Sequence, residues 1–120
     1  MKTILLVDDS AFTRNSLRKT LLEKGFHILQ ACNGLEAIEI LVGNSVDLIV
    51  TDLNMPELDG LGLILRLKSN DRIIPILVFT ADIQDTTREH CIELGARDVI
   101  HKQFNQKLLS SIESILSEVA

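Results

Sequence analysis

Short apolar runs alternate with stretches of helical periodicity five times along the chain, and this rhythm restricts the fold more than any other feature. The runs are residues 4–7, 27–31, 48–51, 76–79 and 99–101. Each is too short for a helix, and strands regularly separated by helices imply parallel pairing. The chain therefore reads as an α/β protein with a five-stranded parallel sheet and five helices. The first helix runs from about 11 to 24, with Ser10 as N-cap and Gly25 as stop, and buries Leu17 and Leu21. Leu35, Ile38 and Val42 supply the apolar face of a second helix ending near Gly43. Leu61, Ile64 and Leu65 lead a third that ends before Asn70. Thr86-x-x-Glu89 has the capping-box pattern and starts a fourth, closed by Gly95. The last begins near Asn105 and carries Leu108, Ile112, Ile115 and Val119 on one face.

In a parallel sheet the carboxyl ends of all strands lie along one edge, where ligands bind. The first, third, fourth and fifth runs stop at Asp8 and Asp9, at Asp52, at Thr80 and at Lys102, so these side chains converge. After Asp52 come Pro56 and Gly60, which break regular structure and give residues 53–59 a course of their own. An EF-hand reading of this loop fails, because Glu57 stands where the calcium loop needs Gly and Leu63 where it needs Glu. Carboxylates 4 Å apart repel by about 4 kcal/mol at an effective dielectric of ~20. A cation must sit among them, and a hard divalent ion that keeps waters and takes one or two carboxylates makes Mg²⁺ the first choice. Lys102 adds a fixed positive charge and Thr80 a hydroxyl. That set suits phosphoryl transfer, with Asp52 as the nucleophile that forms an acyl phosphate.

With 120 residues the chain is expected to form one domain, 1–120, that buries about two-thirds of the surface its unfolded form exposes. A net charge of -5 argues against a nucleic-acid surface. The longest apolar stretch, around 73–81, is broken by Pro75 and falls far below the ~20 residues of a membrane span. Cys32 and Cys91 lack metal-ligand or CxxC spacing and read as reduced, structural thiols of a cytoplasmic protein. His27, His90 and His101 are scattered; a structural role is the expectation for each, and Met55 is expected to pack in its loop.

Val7-Asp8-Asp9-Ser10, Asp52-Leu-Asn-Met-Pro-x-x-x-Gly60, Phe79-Thr80-Ala81, Leu94-Gly95-Ala96 and Lys102, in that order, resemble the receiver domains of two-component response regulators along the whole chain. The resemblance implies a doubly wound, CheY-like, flavodoxin-like fold with strand order 2-1-3-4-5. It implies that Asp52 accepts a phosphoryl group from a histidine kinase or histidine phosphotransfer protein. Asp9, Asp52 and the Asn54 carbonyl would bind Mg²⁺, with Asp8 acting through water, and Thr80 and Lys102 would contact the phosphoryl oxygens. Ala81 would leave that site open, and Asn54 and Asp82 match positions that tune hydrolysis. Arg97, Val99 and His101 match the face that meets partners.

Two positions depart from the family pattern. Gln103 replaces the usual Pro after the Lys, and since a non-proline cis bond costs ~2.5–4 kcal/mol, a trans bond and an altered loop behind Lys102 are expected. Val99 stands where many members carry an aromatic switch residue. The expected function is a stand-alone, phosphorylation-controlled binding module, monomeric or weakly dimeric. It would assist its own phosphotransfer and dephosphorylation without being an enzyme, and would act on a downstream protein target. A receiver within a longer regulator or hybrid kinase, and a pseudo-receiver that works unphosphorylated, remain open alternatives. A haloacid-dehalogenase-type phosphohydrolase would need a DxD motif after the first strand. A nucleotide or flavin module would need a phosphate loop there, where two carboxylates instead repel phosphate.

Overall fold

In the computed structural model, which describes residues 1–82, 84–103 and 105–118, strands and helices alternate throughout. The order is β1 (Thr3–Val7), α1 (Ala11–Glu23), β2 (His27–Ala31), α2 (Gly34–Gly43), β3 (Leu48–Thr51), α3 (Gly60–Ser69), β4 (Ile76–Thr80), α4 (Asp85–Leu94), β5 (Asp98–His101) and α5 (Asn105–Glu118). The five strands form one parallel sheet in the order β2-β1-β3-β4-β5. The chain steps outward from β1 to β2 and then returns past β1 to β3. The crevice at that reversal lies between the ends of β1 and β3, where Asp8 and Asp52 stand.

Period-two alternation along the strands divides the core in two. Leu5, Val7, Ile49, Ile76, Val78 and Val99 face the layer that contains Ala37 and Leu41 of α2, Leu63, Ile64 and Leu67 of α3, and Cys91 of α4. Ile4, Leu6, Leu48, Val50, Leu77, Phe79 and Ile100 face Leu17 and Leu21 of α1 and Leu108, Ile112, Ile115 and Leu116 of α5. With both faces covered, β3 and β4 carry no polar side chain until their carboxyl ends. Each large side chain fully buried here contributes about 1.5–3 kcal/mol from removal of apolar surface from water.

The helix starts show local chemistry. Ser10, Asn33 and Asp59 cap α1, α2 and α3 by accepting from the N–H groups of Thr13, Glu36 and Gly62. Gly25 and Gly95 follow α1 and α4 with φ 90° and 118°.

The face of α2 and the start of α4 differ from expectation. In α2 the buried residues are Gly34, Ala37 and Leu41, and the expected Ile38 packs against the core, whereas Leu35 is exposed and Val42 is 83% exposed. The helix lies under the sheet through its small residues, because Gly34 is pressed against Leu58: its N–H donates to the Leu58 carbonyl at 2.8 Å. That contact rotates Leu35 and Val42 outward. In α3, Leu65 is likewise exposed, and Leu63 and Leu67 flank Ile64 in the core. The Thr86-x-x-Glu89 capping box does not form. Helix α4 begins at Asp85, with Gln84 as an N-cap that makes no side-chain bond. The loop before it is fixed by Asp82, whose Oδ1 accepts from the Gln84 N–H at 3.0 Å and so sets the start earlier. The α5 face expected from the sequence is present at Leu108, Ile112 and Ile115; Val119 lies outside the described residues.

These placements predict unequal costs for similar truncations. Leu41→Ala and Leu63→Ala should each lower unfolding free energy in urea by about 2–5 kcal/mol, and Val42→Ala and Leu65→Ala by about 0.5 kcal/mol or less. Equal losses for Leu63→Ala and Leu65→Ala would contradict the observed rotation of α3.

Candidate functional site

Four strand ends and the residues just beyond them build the site. Asp8 follows β1 and is 5% exposed. Its Oδ1 accepts from the Ser10 N–H at 2.9 Å, so the turn that starts α1 also orients the carboxylate. The Arg14 guanidinium donates to the Asp8 carbonyl and, through Nε, to Gln30 Oε1 at 3.3 Å, which ties α1 to β2 beneath the site. Asp9 is exposed.

Asp52 follows β3 and is 8% exposed. Its N–H donates to the Val7 carbonyl at 2.9 Å, extending the β1–β3 pairing by one residue. Its Oδ1 accepts from the Leu53 N–H at 2.7 Å and its Oδ2 meets Lys102 Nζ at 2.8 Å. The loop returns directly beneath it. The Gly60 N–H donates to the Leu53 carbonyl at 2.9 Å, and a Cβ at Gly60 would stand 2.2 Å from the Asp52 carbonyl oxygen. Only glycine permits that approach. Glu57 in the same loop adopts φ 66°, and Met55 packs against the core.

Thr80 ends β4 fully buried. Its Oγ1 accepts from the Asp82 N–H at 3.2 Å, and its carbonyl accepts from the Lys102 N–H at 2.9 Å. Lys102, just past β5, brings Nζ to 3.0 Å from Asp8 Oδ2 as well as to Asp52. The expected trans geometry is present: the described backbone contains no cis peptide bond, and Gln103 donates its N–H to His101 Nδ1 at 3.2 Å. The altered residue leaves Lys102 between the two carboxylates.

The electrostatics follow from that crowding. Burial pushes the Asp8 carboxyl up, against the opposing pull of the Ser10 N–H and Lys102. Burial also pulls on the Lys102 ammonium, but the bonds to Asp52 and Asp8 outweigh it and hold its pKa above the ordinary 10.5. One carboxylate oxygen each from Asp8, Asp9 and Asp52 lie within 4.8 Å of one another. Three hard oxygen donors against one ammonium leave negative charge in excess, a donor set that fits Mg²⁺ rather than a softer metal.

The profile of the response regulator receiver domain matches residues 4–113. The chain belongs to this family. Response regulator MprA of Mycobacterium sp. (strain KMS) is 37% identical over 114 residues, which cover 94% of the receiver and 50% of MprA. The chain thus spans about half the length of the curated relatives it matches. A signal receiver domain of a signal transduction histidine kinase from Syntrophus aciditrophicus is 34% identical with a TM-score of 0.88, over 99% of this chain and 92% of its own. Response regulator TrrA of Thermotoga maritima, solved in complex with Mg²⁺-BeF, is 29% identical with a TM-score of 0.85, over 96% and 99%.

Of the other expected residues, Asn54, Ala81 and Asp82 adjoin this centre, whereas Arg97 precedes β5 at the opposite edge of the sheet. Asn54 and Ala81 are exposed in the loops after β3 and β4, and Asp82 is half-buried. Val99 is buried against the α2–α4 layer, so the side chains it leaves on that edge are Arg97, paired with Glu118 at 2.6 Å, and half-buried His101. His27 opens β2 at the opposite end of the sheet and His90 is exposed on α4. Cys91 is buried, which pushes its thiol up. Cys32 donates to Glu36, and that bond pushes its thiol up too.

Sequence reasoning missed Arg14 and Arg88. Arg88 Nη1 donates to the Val99 carbonyl at 2.8 Å and Nη2 meets Asp98 Oδ1 at 2.7 Å, clamping α4 to β5 where an aromatic side chain is absent. A cation placed one turn into a helix beside a predicted strand end was the available signal for each.

Two outcomes follow. Gly60→Ala should cost about 2 kcal/mol or more by forcing the loop off Asp52, measured by urea denaturation. A raised Lys102 pKa means that its stabilisation is fully present below pH 10.5 and lost as pH rises through the folded value. The stability gap between wild type and Lys102→Met should therefore hold from neutral pH to that point and narrow above it; a gap unchanged at higher pH would contradict the pairing.

Proposed function

We propose that this receiver is a phosphorylation-controlled protein switch in which Asp52 accepts a phosphoryl group from a phosphohistidine donor. The observation that carries the reading is the contact of Asp52 Oδ2 with Lys102 Nζ at 2.8 Å inside a pocket of carboxylates. A buried aspartate held by a backbone N–H and an ammonium is oriented for attack before the donor arrives. Its carboxylate oxygen forms the new bond to phosphorus as the bond from phosphorus to the donor imidazole breaks. Lys102 then donates to a phosphoryl oxygen, compensating charge that increases at the aspartate. Thr80 accepts from the Asp82 N–H, so its hydroxyl proton is available for a second phosphoryl oxygen. Ala81, small and exposed, offers no side chain to close the approach.

Asp8, Asp9 and Asp52, with the Asn54 carbonyl, would hold Mg²⁺, which when bound neutralises the carboxylates and the incoming phosphoryl charge. The complex of TrrA with Mg²⁺-BeF supports the same ion here. In this reading the protein is a phosphoacceptor that assists its own transfer and dephosphorylation, and its output is altered binding to a protein target on the edge formed by Arg97 and His101. The length of the curated relatives favours a second arrangement, the same receiver serving a longer regulator, with identical chemistry at Asp52.

Intact mass after incubation with Mg²⁺ and phosphoramidate tests this. Wild type should gain one phosphoryl group, Asp52→Asn none, and chelation should abolish the gain. No adduct under conditions that modify another receiver would overturn the proposal in favour of a pseudo-receiver. Mg²⁺ at about a hundred times its Kd should also stabilise wild type by about 2.7 kcal/mol, an increment lost in Asp9→Asn.

A further inference from the structure

The loop between β4 and α4 contains a carboxylate whose two oxygens are both engaged by the helix that follows. Asp82 Oδ1 accepts from the Gln84 N–H at 3.0 Å, and Oδ2 accepts from the Thr87 hydroxyl at 2.9 Å. Its own N–H meanwhile donates to Thr80 Oγ1. One residue therefore joins the hydroxyl at the site to the first turn of α4. Gln84, the N-cap, makes no side-chain bond, so Thr87 is the side chain that completes this turn.

We propose that Thr87 is a positioning residue that prolongs the phosphorylated state by holding the Asp82 carboxylate on α4. The inference rests on Asp52 as phosphoacceptor. In hydrolysis, water attacks phosphorus, a P–O bond forms to the water oxygen, and the P–O bond to Asp52 breaks. The electron pair of the broken bond returns to the Asp52 carboxylate, inorganic phosphate departs, and a water proton must be accepted. A carboxylate two residues beyond Thr80 is a competent acceptor once released. Fixed by the Gln84 N–H and the Thr87 hydroxyl, it is directed to the helix instead. Removing the Thr87 hydroxyl leaves a single backbone bond to hold it.

The test loads the protein with phosphoramidate and Mg²⁺, removes the donor, and follows loss of the phosphoryl group by intact mass. Thr87→Val should hydrolyse roughly tenfold faster than wild type, less than the hundredfold of a fully positioned base. Thr87→Ser, which keeps the hydroxyl, should retain the wild-type lifetime. Adding Asp82→Asn to Thr87→Val should restore the slow rate. An unchanged lifetime in Thr87→Val, or a double variant as fast as Thr87→Val alone, would overturn the inference while leaving Asp52 as acceptor. Failure of wild type to take up phosphoryl at all would instead overturn the phosphoacceptor reading and this inference with it.

Discussion

Lys102 is the contact on which the functional edge depends. Two buried carboxylates, Asp8 and Asp52, stand at the ends of adjacent parallel strands, and their repulsion is of the order of 4 kcal/mol for a 4 Å pair at an effective dielectric of ~20. The ammonium lies 3.0 Å from one and 2.8 Å from the other, and these bonds raise its pKa against the opposing effect of burial. Without that charge the carboxyl ends of β1 and β3 would have to separate or take up protons. In the proposed phosphotransfer the same ammonium, at the tip of four methylenes, would follow charge that moves from Asp52 onto a phosphoryl group.

The backbone around that contact has little freedom. Gly60 brings the start of α3 within contact of the Asp52 carbonyl, and Gly34 brings the start of α2 against Leu58 of the same loop. Both approaches exclude a Cβ, so the loop that displays Asp52 is held from two helices at once. On the other side, Lys102 and Asp82 bond the backbone and hydroxyl of Thr80, and Arg88 joins α4 to β5. The receiver thus has a rigid side toward α2 and α3 and a side built of exchangeable polar bonds toward α4. Such bonds are the kind a phosphoryl group can rearrange, because each partner can be satisfied by another.

Much of this was legible beforehand because strand ends carry meaning in a parallel sheet. Asp8, Asp52, Thr80 and Lys102 each terminate an apolar run or follow one directly, and parallel pairing alone brings such positions to one edge. Helix faces were less legible. Leu35 and Val42 have the spacing of a buried stripe, yet α2 turns Ala37 and Leu41 inward because Gly34 fixes its approach. Thr86 and Glu89 have the capping-box spacing, yet Asp82 starts α4 at Asp85. Periodicity leaves the rotation of a helix undetermined when apolar residues occupy more than one side, and contacts made elsewhere then select it.

By itself the sequence determined the layered α/β architecture, through strand-length apolar runs alternating with helices, and the identity of the charged residues at the strand ends. Tertiary structure alone decided which ammonium meets which carboxylate and which guanidinium joins α4 to β5. The physical reason is distance along the chain. Asp52 and Lys102 are separated by 50 residues, and Arg88 and Asp98 meet from different elements. Local propensity acts over a few residues, whereas pairings of that range exist only once the sheet has set the register of its strands.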